Sequence, residues 1–205
     1  MSFKHRLLDA DFIINFSKTM VATQYNKSFS FSPKNLDMGL ITTKEVKKEV
    51  IRNPIDKNFM PSIEITQLKK FQNYFLSELE IYDGTDLHLM ELTASTELKN
   101  LGEKSLTCLL FEKYRKALNN NDIAIVSNNK NDIIHFANTV KKFTGYEKLK
   151  WDQNKNIISL HKFYYELYKA GLFKRQQIAY LLAISNIDAR IVGIDLESTF
   201  GLLFV

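Results

Sequence analysis

Four short strand-like stretches, each giving way at once to helical spacing, constrain this chain more than any other feature. Leu7-Leu8 leads into the apolar Phe12-Ile13-Ile14-Phe16 run, and Met38-Gly39-Leu40-Ile41 leads into a helix that ends near Arg52, ahead of Asn53-Pro54. Ser62-Ile63-Glu64-Ile65-Thr66 alternates as a half-buried strand should, before a helix marked by Phe71, Tyr74, Phe75 and Leu79. Ile123-Ala124-Ile125-Val126 is a continuous β-branched run, and a helix follows through Ile133, Ile134, Phe136, Ala137 and Val140. Strands that alternate with helices pair in parallel, because each helix carries the chain back to the starting edge. The expected fold is therefore α/β, with three α/β/α layers around a mainly parallel central sheet.

The intervening stretches complete the plan. Residues 24–37 and 53–61 are polar and carry prolines, which marks them as loops. A helix is expected over 86–98, a turn over 99–102, and a further helix from Glu103 to about Leu118. Residues 144–156 are irregular and contain Trp151. An amphipathic helix over 157–170 stopped by Gly171, and a second one over 174–186, form a C-terminal helical hairpin. The apolar end, 199–205, reads as a closing strand or a docking segment. Two units result: residues 1–145 as the main domain and 157–205 as a helical extension packed on it.

The 205 residues, 45% hydrophobic and 12% aromatic, are enough for a substantial core. The single cysteine, Cys108, sits in an apolar helical pattern, which excludes a disulfide framework and a cysteine-based zinc site. With 28 Lys+Arg against 23 Asp+Glu the net charge is +5, compatible with a polyanionic partner but far from a basic tail. No run approaches eighteen apolar residues and no secretory leader is evident, so a soluble cytoplasmic protein with no membrane partner is expected. No Gly-rich phosphate loop, HExxH or GxSxG motif occurs, which counts against a small-molecule doubly wound domain.

The acidic residues fall at telling places. Asp9 follows the first strand, Glu49 lies on the helix after the second, Glu103 opens a helix, and Asn129 and Asp132 follow the Ile123–Val126 strand. In open parallel sheets ligands bind at the carboxyl ends of strands, where loops form a crevice. Carboxylates converging there suit a hard cation such as Mg2+ or Mn2+, the chemistry used to hydrolyse phosphodiesters. Each also has an ordinary role: Asp9 and Asp11 as helix caps, Glu49 on a solvated face beside Lys44, Lys47 and Lys48, and Glu103 at a favourable dipole end; Thr42 or Thr43 caps the helix after the second strand, with Thr42 and Glu45 spaced as a capping box.

Taken in order, these motifs resemble the PIN domain family of metal-dependent nucleases. Leu7-Leu8-Asp9-Ala10-Asp11 is similar to its opening strand and Asp signature, with alanine where threonine or serine is usual. Ile41-Thr42-Thr43 with Val46-Lys47-Lys48-Glu49-Val50 resembles its second strand and glutamate-bearing helix, and Leu101-Gly102-Glu103-Lys104-Ser105 the Gly-Glu helix start of one branch. Ile123 to Lys130 is similar to the strand and loop that deliver a late aspartate, here replaced by Asn129. The resemblance covers residues 6–143, and the C-terminal helices are similar to an extension in that branch. It implies a ribonuclease in which Asp9, Glu49, Glu103 and Asp132 are catalytic, and in which Asp9, Glu103, Asn129 and Asp132 hold Mg2+ or Mn2+. Lys130, Lys44 and Arg175 would grip nucleic acid, RNA in preference to DNA. The resemblance also implies a toxin role, with an antitoxin or other inhibitor as partner; a homodimer is a further expectation. The competing expectation is a catalytically weakened module that binds RNA or a protein.

Overall fold

The computed structural model describes residues 4–23, 39–52, 65–83, 92, 100–120, 122–144 and 151–171. Among these residues five parallel strands form the central sheet, in the order β3-β2-β1-β4-β5. They are β1 (His5–Leu8), β2 (Gly39–Thr43), β3 (Glu80–Tyr82), β4 (Ile123–Val126) and β5 (Ile157–Ile158). Helices flank it as α1 (Ala10–Thr23), α2 (Lys44–Arg52), α3 (Ile65–Glu78), α4 (Leu101–Glu112), α5 (Arg115–Asn119), α6 (Lys130–Thr144), α7 (Gln153–Asn156) and α8 (Leu160–Lys169). The α/β, three-layer expectation is met, and among the described residues every strand pairing is parallel.

The register places the functional edge. Leu8 stands opposite Val126, and Leu7 opposite both Ile41 and Ile125, so Asp9 and Ser127 emerge side by side. From β1 the chain turns through α1 to β2 on one side, whereas from β4 it turns through α6 to β5 on the other. Loops leaving adjacent strands in opposite directions open a crevice between them, and here it lies between the ends of β1 and β4.

Aromatic packing joins α1, α3 and α8. Phe16 lies against Phe71 and Phe75, and Phe12 against Phe163 and Tyr164. Arg6 of β1, 1% exposed, reaches the same layer: its Nε and Nη2 donate to Oε2 of Glu166 at 3.1 and 2.6 Å, and Nη1 donates to the His5 carbonyl at 3.1 Å. A guanidinium in a core requires such partners, since an unpaired one costs several kcal/mol, on the order of 3–5. Thus α8 is bonded to the central strand. Across the sheet α4 packs on α6 and is buried from Gly102 to Phe111, polar residues included. Among the described residues no helix is long and apolar enough to cross a membrane.

Several sequence expectations are corrected. Ile65 and Thr66 open helix α3 instead of closing a strand, while residues 62–64 lie outside the described set. Ile157-Ile158 is an edge strand paired with β4 and not the first turn of a helix, so the sheet continues past residue 145. Glu80–Tyr82 is a strand that was not anticipated. The helix from Glu103 does not run unbroken to Leu118; it stops at Glu112 and resumes at Arg115, where Tyr114 turns its ring to His5, 5.3 Å between centroids. Of the two threonines that could cap α2, Thr43 does so, its Oγ1 accepting from the Val46 N–H at 3.3 Å, and the Thr42–Glu45 capping box is not formed, since Thr42 donates to the Leu8 carbonyl at 2.9 Å. Gly171 does follow the C-terminal helix, at φ +74°, a conformation glycine adopts without strain. The loops 24–37 and 53–61, most of the 86–98 helix, the second hairpin helix and residues 199–205 lie outside the described residues.

Candidate acidic site at the sheet edge

Asp9 is the centre of the site. Its N–H donates to the Val126 carbonyl at 3.2 Å, prolonging the β1–β4 ladder, and its side chain turns into the crevice with 2% exposure. Oδ1 accepts from the Ala10 N–H at 2.8 Å and Oδ2 from the Ser127 hydroxyl at 2.5 Å. Burial, then the charges of Asp11 and Glu103, push its pKa well above the ordinary carboxylate range against those two hydrogen bonds. Nearby positive charge would lower it again, since an opposite charge favours the ionised form.

Glu103 faces it from the first turn of α4, 5% exposed, and its Oε1 accepts from the Asn129 side-chain amide at 2.6 Å. Asp11, one position into α1, accepts from the Phe12 N–H at 2.7 Å and the Asn128 N–H at 3.3 Å. Burial raises its pKa, with Glu103 adding to the effect. Glu49 comes from α2, its carboxyl raised by burial and then by Glu103 and Asp11. These couplings define one group: Asp9, Asp11, Glu49 and Glu103. Among the described residues, none of the ion pairs includes any of them.

The scaffold under the acids consists of small residues. A Cβ on Gly102 would stand 2.7 Å from Glu49 Oε2 and 3.7 Å from Asp9 Oδ1, so two carboxylates converge on the space that glycine leaves open. Ser105 donates to the Gly102 carbonyl at 2.7 Å and lies 2.6 Å from the Thr43 hydroxyl, tying the start of α4 to the end of β2. Ser127 donates to Asp9 and accepts the Asn129 N–H at 3.0 Å, which ties the β4–α6 loop to β1.

Of the residues nominated from sequence, Asp9, Glu49, Glu103 and Asn129 are brought together. Asp132, proposed to replace the missing late carboxylate, instead accepts from the Asn100 side chain at 3.0 Å, at the entrance to α4. One helical turn beyond Asn129 carries it past the crevice. Lys130 donates to Asn154 Oδ1 at 3.1 Å, and Lys44 pairs with Asp83 at 2.7 Å on the surface, so both are engaged with neighbours in the chain. Arg175 lies outside the described residues. Asp11 and Ser127 are the members that sequence reasoning missed. Their signals were present: Asp11 is two residues after Asp9, and Ser127 is the first residue after the most clearly buried strand.

The donor set is all oxygen, which suits a hard divalent cation. Among the described residues no three carboxylate, imidazole or thiolate groups are already gathered around one metal position. The group therefore fits such a cation in chemistry, with Glu49 reaching over Gly102 from α2, and not as a preformed cage. No family model, curated protein or solved structure matches this chain.

Proposed function

We propose that this chain is a metal-dependent nuclease that hydrolyses phosphodiester bonds, RNA being the preferred substrate, with Asp9, Glu49 and Glu103 at its centre and Asp11 beside them. The observation that supports this reading most is the buried pair Asp9 and Glu103, held at the carboxyl edge where the chain leaves β1 and β4 in opposite directions. Like charges placed there oppose each other and raise the cost of folding, an arrangement suited to a site that takes up positive charge. Bound Mg2+ or Mn2+ would activate water and stabilise charge on the phosphoryl oxygens. The protein's own contribution is to present Asp9 and Glu103 from two rigid elements, with Ser127 orienting Asp9 and the space above Gly102 admitting Glu49. Asp132, bonded to Asn100, is assigned to the rim.

A second reading has a specific observation in its favour. Asn129 stands on Glu103 with a neutral amide, which suits a weakened site that binds RNA or a protein partner without cutting. A cytoplasmic toxin restrained by an antitoxin over this edge is the biological setting we propose for the active form, and a homodimer is the assembly proposed with it.

The test is cleavage of labelled single-stranded RNA by purified protein with and without Mn2+, beside the Asp9→Asn variant. Cleavage that needs Mn2+ and vanishes in the variant supports the nuclease. A folded protein that cuts neither RNA nor DNA refutes it in favour of the binding module.

A further inference from the structure

Asn129 is bonded directly to one buried acid, Glu103, and is linked to the other, Asp9, through Ser127. Its backbone is held on two sides, the N–H donating to Ser127 Oγ at 3.0 Å and the carbonyl accepting from the Ile133 N–H at 3.2 Å in the first turn of α6. From that fixed backbone its side-chain amide donates to Glu103 Oε1 at 2.6 Å. The Ser127 hydroxyl that receives its N–H in turn donates to Asp9 Oδ2. A single residue thus links the end of β1, the loop after β4 and the first turn of α4.

We propose that Asn129 is a positioning residue that does in the metal-free protein what a cation would otherwise do: it holds Glu103 in place opposite Asp9. The inference rests on the cation reading of this edge given above. An amide N–H bonded to a carboxylate is a charge-assisted hydrogen bond, stronger than one between neutral groups, and it adds no charge to a crowded acidic site. Aspartate at the same place has no hydrogen to donate when ionised and would set a further negative charge against Glu103 Oε1. Asparagine therefore favours an acidic edge that stays ordered without a cation and a low appetite for divalent ions, whereas aspartate would reverse both.

The test uses the full chain and Mn2+ as the probe, on the unaltered protein, Asn129→Asp, Asn129→Ala and Asp9→Asn. Thermal unfolding is followed in EDTA and in Mn2+, and Mn2+ affinity is measured by calorimetry. Three results are expected together. Asn129→Asp unfolds below the unaltered protein in EDTA and recovers in Mn2+, binding it at least tenfold tighter. Asn129→Ala, which loses the donor without gaining charge, unfolds lower in EDTA and gains no affinity. Asp9→Asn abolishes binding. Asn129→Asp as stable as the unaltered protein in EDTA would overturn the inference, as would Asn129→Ala with unchanged unfolding. Equal Mn2+ affinity in the unaltered protein and Asn129→Asp, lost in Asp9→Asn, overturns the inference while the cation reading stands. Cooperative unfolding of all four with no Mn2+ binding by any overturns both.

Discussion

Replacing Gly102 by alanine separates the stability of the fold from the integrity of its acidic edge. The new Cβ would lie 2.7 Å from Glu49 Oε2, where ordinary contact begins at 3.4 Å, so that carboxylate has to retreat by most of an ångström. Glu49 is exposed on α2 and can change rotamer at a cost of about 1 kcal/mol or less. Val46 Cγ2, at 3.3 Å and fully buried, gives way by a tenth of an ångström, and Asp9 Oδ1 at 3.7 Å need not move. Gly102 is helical with no positive φ, so alanine also gains about 0.5–1 kcal/mol from backbone entropy and helix propensity, less in a first turn. These terms nearly cancel. Gly102→Ala should stay within about 1 kcal/mol of the parent, on the order of 2–4 °C in midpoint for a chain of this size. Mn2+ affinity and any metal-dependent cleavage should fall by about tenfold or more, because a displaced ligand-side carboxylate has effects of that size. Thermal unfolding by circular dichroism and Mn2+ titration measure the two, with Glu49→Gln and the double variant closing the cycle. Since both changes remove the same group, their effects on affinity should not add. A loss of more than about 2 kcal/mol would mean Glu49 is locked in place. Full additivity with Glu49→Gln would mean that the two carboxylates do not meet over Gly102.

Three other outcomes follow from the same geometry. Glu166→Ala takes its carboxylate partner from the buried Arg6 guanidinium, and urea unfolding should show a loss of about 3 kcal/mol with an unchanged slope. A loss below 1 kcal/mol, by the same measurement, would show that α8 is not anchored through this pair. Asp9, whose pKa is raised, binds its proton more tightly folded than unfolded; the stability this lends is complete below the ordinary value of about 4 and is lost as pH climbs through the raised one. Without metal, the parent should therefore weaken relative to Asp9→Asn as pH rises above about 4, and urea midpoints that stay parallel as pH is raised would contradict the assignment. Ser127→Ala strips Asp9 of a hydroxyl donor and the Asn129 N–H of its acceptor, so a cost of about 1–3 kcal/mol is expected in the same assay, with Mn2+ affinity reduced as well.

The strands that carry the site were the legible ones. Leu7-Leu8 and Ile123 to Val126 occupy the centre of the sheet, are buried on both faces and read as continuous apolar runs, so the residues after them could be placed at one edge from sequence alone. The outer strands could not. Glu80–Tyr82 and Ile157–Ile158 are three and two residues long, too short to show a period, and each is a strand only because a neighbour offers it a partner.

The amino-acid order by itself thus determined the alternation of strand and helix, the parallel sheet, and the arrival of Asp9 and Asn129 at its carboxyl edge, whereas Glu49 and Glu103 were joined to them through the family resemblance. The alternation, the sheet and those two arrivals follow from local periodicity and from the direction in which each strand must run. Tertiary structure decided what the acids do there. Only the packing of α4 between the sheet and α6 buries Glu103, Lys104, Ser105 and Thr107, polar residues that on an isolated helix would face water. The space over Gly102 exists only because α2 packs against α4, and one helical turn sends Asp132 to Asn100 while Asn129 stays with Glu103. Hydrogen-bond direction and burial depend on neighbours far apart in the chain, and a single sequence carries no record of those distances.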